Sequence, residues 1–443
     1  MKQKLSDARE IFLQRRYGVR LGRRYVLAAA GVMLMSVLGC SQVNGNAKDN
    51  TKNLERSRVN TSEYPIAKKK LNSDNKVVAA NTKFGLKLFS NVLQNDFQKN
   101  IFISPSSVAI ALAMTYNGAS GTTKQVMAKG LELEGLALPD INDSNLALKT
   151  LLENLDPQVK LTIANSLWAN QNISLNPEFL AKNQKFYQAQ VTNLDFSNPG
   201  AAKSINNWVS NNTDGKIKQI VTKVPPNQIL FLINAIYFKG QWTKKFDPKQ
   251  TTPYPFKLLS GRQKQVPMMS QSGDYSYYET ENWQAVNLPY GKDRNIGFHI
   301  FLPKANSNLQ TFYQELNVEN WNLWMSKFRS REGSIRLPKF KIDYKVKLRK
   351  ALTALGMGEA FSNKADFSGI GKQLALSGVT HKTFAEVNEE GTEAAAATSV
   401  GVVATSVRQK PKPFKMIVDR PFFCVIRDQQ TGTILFMGSI VDP

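Results

Sequence analysis

From residue 75 to residue 443 large apolar side chains recur at regular intervals. Phe84, Leu88, Phe89, Val92 and Leu93 repeat at the spacing of a helix with one buried face. Ile110, Ala113 and Met114 predict a second helix behind Ser104-Pro105-Ser106-Ser107, where the serine suits a cap and the proline a first turn. Ile205, Trp208 and Val209 mark another, ended by Thr213-Asp214-Gly215. Strand patterns then dominate. Residues 229–238 form an unbroken apolar run, as expected of a central strand covered on both faces. Segments 285–288, 297–302, 334–338 and 434–438 read as further strands. Helices first and strands later predict an α+β fold with one large sheet. No linker or internal repeat divides this region, so 74–443 is expected to be one domain.

The N-terminus has a different pattern. Residues 1–24 are polar and basic, and the apolar run that follows, 25–39, is shorter than the ~20 residues that span a bilayer. That order predicts an export signal over 1–39. It ends at Val37-Leu38-Gly39-Cys40, which resembles a lipoprotein processing site, although Val37 and Leu38 depart from the usual leucine and small residue. Cys40 would then carry a lipid and anchor the protein to a membrane. Arg23-Arg24 also resembles a twin-arginine signal, with Gly22 in place of the usual Ser/Thr. Residues 40–73 are rich in Asn, Lys, Ser and Asp and predict a disordered tether. The folded part is therefore expected outside the cytoplasm, lipid-anchored or secreted.

Charge adds a class of partner. The 443-residue chain has a formal net charge of +24. Only a minor part sits in the signal, so the body itself is basic. Polysaccharide, lipid headgroups or nucleic acid are the anions such a surface attracts. No cluster of Lys/Arg interleaved with aromatics marks a nucleic-acid groove.

Catalytic constellations are weak. The chain has two histidines, His299 and His381, and two cysteines, Cys40 and Cys424. His299 lies within an apolar strand and reads as a core residue with a satisfied hydrogen bond; Cys424 reads as a buried, inert thiol. There is no Gly-x-Ser-x-Gly elbow, no metal-ligand spacing, no P-loop and no dinucleotide fingerprint. The expectation is a protein that is not an enzyme, with no cofactor and no metal.

The segment from Glu389-Glu390-Gly391-Thr392 onward is the most telling. It is too small-sided for a core helix and too apolar for a linker. Strand side chains alternate between two faces. Thr392, Ala394, Ala396, Thr398, Val400, Val402 and Ala404 share one face without a charge. Glu393, Ala395, Ala397, Ser399, Gly401, Val403 and Thr405 share the other. Gly391 supplies freedom for a bend. Such a loop can become a buried strand.

These residues, with Asn100-Ile101-Phe102-Ile103-Ser104-Pro105-Ser106-Ser107, the run from Asn234 to Trp242, Val266-Pro267-Met268-Met269, Phe301-Leu302-Pro303, Asp366-Phe367-Ser368-Gly369 and Arg420-Pro421-Phe422, resemble the serpins over 75–443. The resemblance implies a single domain with a large central mixed β-sheet, smaller sheets, some eight or nine helices and an exposed reactive loop near 389–413. It implies a monomeric suicide inhibitor of serine, or cysteine, proteases, held as a covalent acyl-enzyme. The loop is cut and inserts into the central sheet. The hinge would be Glu389, Gly391, Thr392, Ala394, Ala395, Ala396, Ala397 and Thr398. The family's spacing sets the reactive bond at Thr405-Ser406, and the small residue favours elastase-like or subtilisin-like targets. A long 406–421 segment leaves room for a cut one or two residues later; Arg408 would suit trypsin-like enzymes but lengthens the insertable arm by three residues. Ser104, Ser107, Asn234 and His381 match a polar cluster, the shutter, where strands must part. Trp242 matches an indole at the breach, the top of the sheet where the loop enters. The alternative is a non-inhibitory tethered protein whose basic surface holds an anionic polymer.

Overall fold

The computed structural model describes residues 75–154, 156–392 and 411–443. The predicted signal over 1–39, Cys40, the tether over 40–73, hinge residues Ala394, Ala395, Ala396, Ala397 and Thr398, and the Thr405-Ser406 bond lie outside them.

The chain begins with α1 (Lys76–Asp96), capped by Asn75, whose side chain accepts from the amides of Val77 and Val78. Strand β1 (Ile101–Ile103) leads into α2 (Pro105–Tyr116), where Ser104 caps and Pro105 fills the first turn. All of α2 is buried, as expected of a helix that is apolar nearly all round. Helices α3 (Gly121–Gly130) and α4 (Leu138–Glu153) follow, then β2 (Val159–Asn170), α5 (Pro177–Tyr187), β3 (Gln190–Leu194), α6 (Ala201–Asn211) and β4 (Leu230–Gln241). Next come β5 (Thr252–Lys257), β6 (Gln263–Glu279), β7 (Trp283–Tyr290), β8 (Ile296–Pro303), α7 (Leu309–Glu315) and α8 (Val318–Lys327). The remainder is β9 (Arg329–Pro338), β10 (Phe340–Lys347), α9 (Arg349–Leu352), β11 (Leu376–Asn388), β12 (Gly391–Thr392), β13 (Phe414–Ile417), β14 (Phe422–Asp428) and β15 (Ile434–Ile440). The α+β class is as expected, with nine α-helices among the described residues.

The strands divide between two mixed sheets. One has nine strands, ordered β1-β15-β14-β8-β7-β6-β9-β13 with β5 on β6. The other has six, ordered β10-β11-β12-β4-β2-β3. The apolar run predicted as a central strand is β4, flanked by β2 on one side and by β11 and β12 on the other. Its alternation explains why it is apolar throughout. Leu230, Leu232, Ile236 and Phe238 join the main core between the sheets, where Phe238 lies 5.9 Å from Phe436. Ile233, Ala235 and Tyr237 join a second core closed by Ile205 and Val209 of α6 and by Ile217, Ile220 and Val221.

After Pro411 the chain is pinned by β13. β13 pairs in parallel with β9, Phe414 opposite Gly333. The Phe414 ring stacks on Tyr277 with centroids 4.0 Å apart. A Cβ on Gly333 would come within 2.2 Å of that ring. Gly333→Val is therefore expected to destabilise by roughly 1–3 kcal/mol through overpacking, read as a lowered midpoint of thermal unfolding; an unchanged midpoint would mean that β13 yields without cost.

Candidate functional site

β4 and β11 lie side by side and parallel, paired from Leu230 opposite Leu376 to Tyr237 opposite Phe384. No strand separates them there. Beyond Tyr237 the sheet parts. The chain leaving β11 turns back at Glu389-Glu390 and enters the gap as β12, antiparallel to both neighbours. Gly391 pairs with Asn388 and Gln241; Thr392 pairs with Val387 and Gly240. The six-stranded sheet thus has a fork: closed along most of its length, and wedged at one end by two residues.

The turn is held from all sides. The backbone amide of Trp242 donates to Glu390 O at 3.0 Å and that of Phe246 to Glu389 O at 2.9 Å. Trp242 Nε1 donates to Asn388 O at 2.8 Å. Its indole stacks on Tyr290, centroids 4.4 Å apart. Tyr290 in turn shares a 2.7 Å hydrogen bond between its hydroxyl and that of fully buried Thr392. Gly391 has φ +150°, and a Cβ there would meet Gly240 O at 2.0 Å, so this approach of two backbones requires glycine.

Carboxylates fix the approach. Thr251 Oγ1 donates to Glu389 at 2.8 Å, and Lys339 Nζ reaches the same carboxylate at 2.8 Å. Burial alone would raise the Glu389 pKa, but Lys339, its own backbone and Thr251 together hold it below the usual range. Glu390 pairs with Lys245 at 2.5 Å.

A second polar cluster lies under the closed part of the fork. Ser104 N–H donates to His381 Nε2 at 3.0 Å, which makes Nε2 an acceptor and leaves the proton on Nδ1. Nδ1 then donates to Asn234 Oδ1 at 2.5 Å, across the β11–β4 pair. Asn234 Nδ2 donates to Ser107 Oγ at 2.6 Å and to Asn165 Oδ1 at 2.5 Å. Ser104, Ser107, Asn234 and His381 are all fully buried. Burial holds the His381 pKa down to about 3, so the ring is neutral.

The structure therefore brings Ser104, Ser107, Asn234 and His381 into one network, and sets Trp242, Glu389, Gly391 and Thr392 together at the fork. Sequence reasoning did not find Asn165, Tyr290, Thr251, Lys245 or Lys339. Asn165 left a trace, since it is the polar member of the core-facing series Leu161, Ile163, Leu167 in β2. The others are joined to the hinge only by tertiary contact. One expectation is corrected: His299 is buried, but neither ring nitrogen has a hydrogen-bond partner among the described residues, and it packs edge-on to Phe328 at 5.3 Å. Its strand pairs with β7 and β14 on both sides, so the backbone leaves the ring on an aromatic face. Cys424 is buried and its thiol pKa is pushed up, as expected of an inert thiol.

No His/Cys/Asp/Glu group among the described residues could hold a metal. β12 thus sits at the open end of the β4–β11 pair, and the bond between His381 and Asn234 crosses its closed part.

A model of the family described as Serpin (serine protease inhibitor) matches residues 79–443. A serpin-like protein of Thermococcus kodakarensis is 35% identical over 436 residues, covering 95% of this chain and 99% of that one. The leukocyte elastase inhibitor of Bos taurus is 36% identical over 380 residues, covering 82% and 99%. Among solved structures, the thermophilic serpin tengpin in its native state superposes with a TM-score of 0.77 at 32% identity, covering 84% of this chain and 95% of that one.

Burial of both histidines has a consequence in acid. Their pKa values of about 3 lie below the unfolded 6.5, His299 through burial and then Arg427, His381 through burial. Between these values the unfolded chain binds more protons, so stability is full above pH ~6.5 and falls toward pH ~3, by about 1.4 kcal/mol per pH unit for each ring. His299→Phe, which removes a ring without hydrogen bonds, is expected to be near neutral at pH 8 and stabilising at pH 5 in denaturant unfolding. Parallel pH profiles for variant and wild type would contradict it.

Proposed function

This chain belongs to the serpin family, and from that premise we propose that it is a suicide inhibitor of serine proteases, with cysteine proteases as a further target class. The observation that carries this reading is the fork, with Thr392 seated between β11 and β4 and the two strands closed beneath it. In the proposed mechanism the protease attacks the Thr405 carbonyl and forms an acyl-enzyme, and the amine of Ser406 leaves. The freed arm then extends β12 by zipping between β4 and β11.

The register at Thr392 says what that strand would meet. Carried onward along β4, it pairs Ala394 with Phe238, Ala396 with Ile236, Thr398 with Asn234, Val400 with Leu232 and Val402 with Leu230. These partners face the main core apart from Asn234, so the arm offers small or apolar groups where they would be buried. Ala395, Ala397 and Ser399 come opposite Tyr237, Ala235 and Ile233, beneath α6. Both faces are thus covered, which accounts for small residues on both. Glu393, opposite Lys239, is the charged exception, and Lys239 is only partly buried.

Along β11 the same extension pairs Thr398 with His381. Thr398 would then lie between the two residues whose direct hydrogen bond closes the sheet. A hydroxyl both accepts and donates. It can accept from His381 Nδ1–H and donate to Asn234 Oδ1, which leaves neither of those two atoms unpaired. Thirteen residues beyond Thr392 at ~3.3 Å each carry Thr405 ~43 Å along the sheet. An attached protease is dragged with it.

Thr405 preceded by Val402-Val403-Ala404 supports an elastase-like or subtilisin-like target, and the bovine relative is named as an elastase inhibitor. We also propose that Cys40 carries a lipid and that the domain acts outside the cytoplasm.

Mixing the protein with an elastase-like protease is expected to yield a covalent complex on a denaturing gel; its absence across a panel of serine and cysteine proteases would refute inhibition. Thr392→Arg would bury an unpaired charge, at a cost of several kcal/mol, and should turn the inhibitor into a cleaved substrate. Thr398→Val would strand His381 and Asn234 at a cost of roughly 1–3 kcal/mol, and should raise the number of inhibitor molecules consumed per protease trapped. A variant at either position with wild-type stoichiometry contradicts the register.

A further inference from the structure

Asp156, in the loop before β2, is a buried carboxylate, 8% exposed. It has no Lys or Arg partner among the described residues, and two backbone amides hold it instead. Oδ1 accepts from Gln158 N–H at 2.7 Å and Oδ2 from Asp293 N–H at 3.0 Å. The first bond shapes its own loop, as an aspartate side chain does for an amide two residues on. The second crosses 137 positions of sequence to the turn between β7 and β8. Gly291, in that turn, makes the room: its φ is +73°, and a Cβ there would come within 2.3 Å of the carboxylate.

The two segments that Asp156 joins close together on Gln241, the last residue of β4. Gln241 N–H donates to Gln158 O at 3.1 Å, and Gly291 N–H donates to Gln241 O at 2.8 Å. Thr243 also holds the hairpin: its amide donates to Pro289 O at 2.9 Å and its hydroxyl to Gly291 O at 2.6 Å. Gln241 pairs with Gly391 in β12, and Tyr290, next to Gly291, shares its hydroxyl hydrogen bond with Thr392. Both residues of β12 therefore rest on groups that the Asp156 carboxylate keeps in register.

The position calls for a carboxylate. Both partners are donors, so both oxygens have to accept, which a carboxylate does and an amide side chain does not. Asparagine there would turn its NH2 toward one N–H and leave two buried donors facing each other.

We propose that Asp156 is the positioning residue of the hinge seat. It acts through the β7–β8 hairpin and the loop before β2, which carry Tyr290 and Gln241 to the places where they hold Thr392 and Gly391. When it is lost, these two residues leave the fork, while the closed part below, crossed by the His381–Asn234 bond, stays shut. Construction of the seat stands on the hydrogen bonds alone; its bearing on protease trapping rests on the inhibitory reading.

Hydrogen exchange of the intact full-length protein, read by mass spectrometry, tests this. In D156N the segment 387–392 should exchange about tenfold faster than in wild type, with 232–236 in the middle of β4 unchanged, because the opening is local. G291A, which drives a methyl into the carboxylate and leaves Asp156 in place, should do the same. D156A/G291A should be no faster than D156A or G291A alone, since both changes break one contact. Wild-type exchange at 387–392 in both D156N and G291A overturns the proposal. So does equal acceleration of both segments, the sign of a general loss of stability, or a double variant in which the two effects multiply. Where a protease is trapped, D156N should raise the number of inhibitor molecules consumed per protease; unchanged consumption beside faster hinge exchange overturns the link to trapping. If no protease gives a covalent complex, inhibition fails, and the exchange comparison still decides the seat.

Discussion

A buried side-chain hydrogen bond, His381 Nδ1–H to Asn234 Oδ1, crosses between the two paired strands on which the rest of the site depends. Among the described residues, β4 and β11 are the strands of the six-stranded sheet that are neighbours along one stretch and separated by a third strand along another. Closing them is a matter of backbone pairing, which many strands could supply. Closing them over a fully buried imidazole and amide is different, because neither group can be left unpaired. The imidazole and the Asn234 amide are served with the strands together, through Ser104, Ser107 and Asn165, while Asn165 Nδ2 has no partner among the described residues. A strand that separates them must bring its own hydroxyl at that one level. The sheet is thereby selective about what opens it.

The hinge sets the other condition. Two residues of β12 already occupy the wide end of the fork, and their grip is specific: a glycine where backbones touch, a threonine hydroxyl on Tyr290, two carboxylates held by lysines. Under the proposed mechanism this is a first step of strand extension taken before any cut, the lock below is what separates it from a zipped state, and such a fold is held by a barrier, so that its persistence is a rate rather than an equilibrium.

Much of this was legible in the chain. Period-two smallness after Gly391 leads to the expectation of a segment able to become a strand; Gly391 and Thr392 form β12, and 393–410 lie outside the described residues. The all-apolar run of β4 announced cover on both sides, and the two cores behind Leu232 and Ile233 are that cover. Ser104 and Pro105 announced a helix start, since capping and a fixed φ are local properties. The partners of the hinge were not legible. Lys339 and Thr251 meet Glu389 from β10's flank and from the turn before β5, and nothing in the sequence near them records that contact. His299 looked like a satisfied core histidine because a buried imidazole normally is one; only the packing shows a ring turned onto Phe328 instead. The division of the strands between two sheets was also hidden, because periodicity marks a strand without marking its neighbour.

We propose that the closed fork is a trapped state of higher free energy than the zipped one. Cleavage within 393–410 by a protease that is not itself trapped releases the arm without a covalent load, so the thermal midpoint before and after such a cut measures the difference. The account predicts a rise of more than about 10 °C, since an added strand buries surface on both faces and removes the fork. A cut chain that melts at the same temperature as the intact one would contradict it.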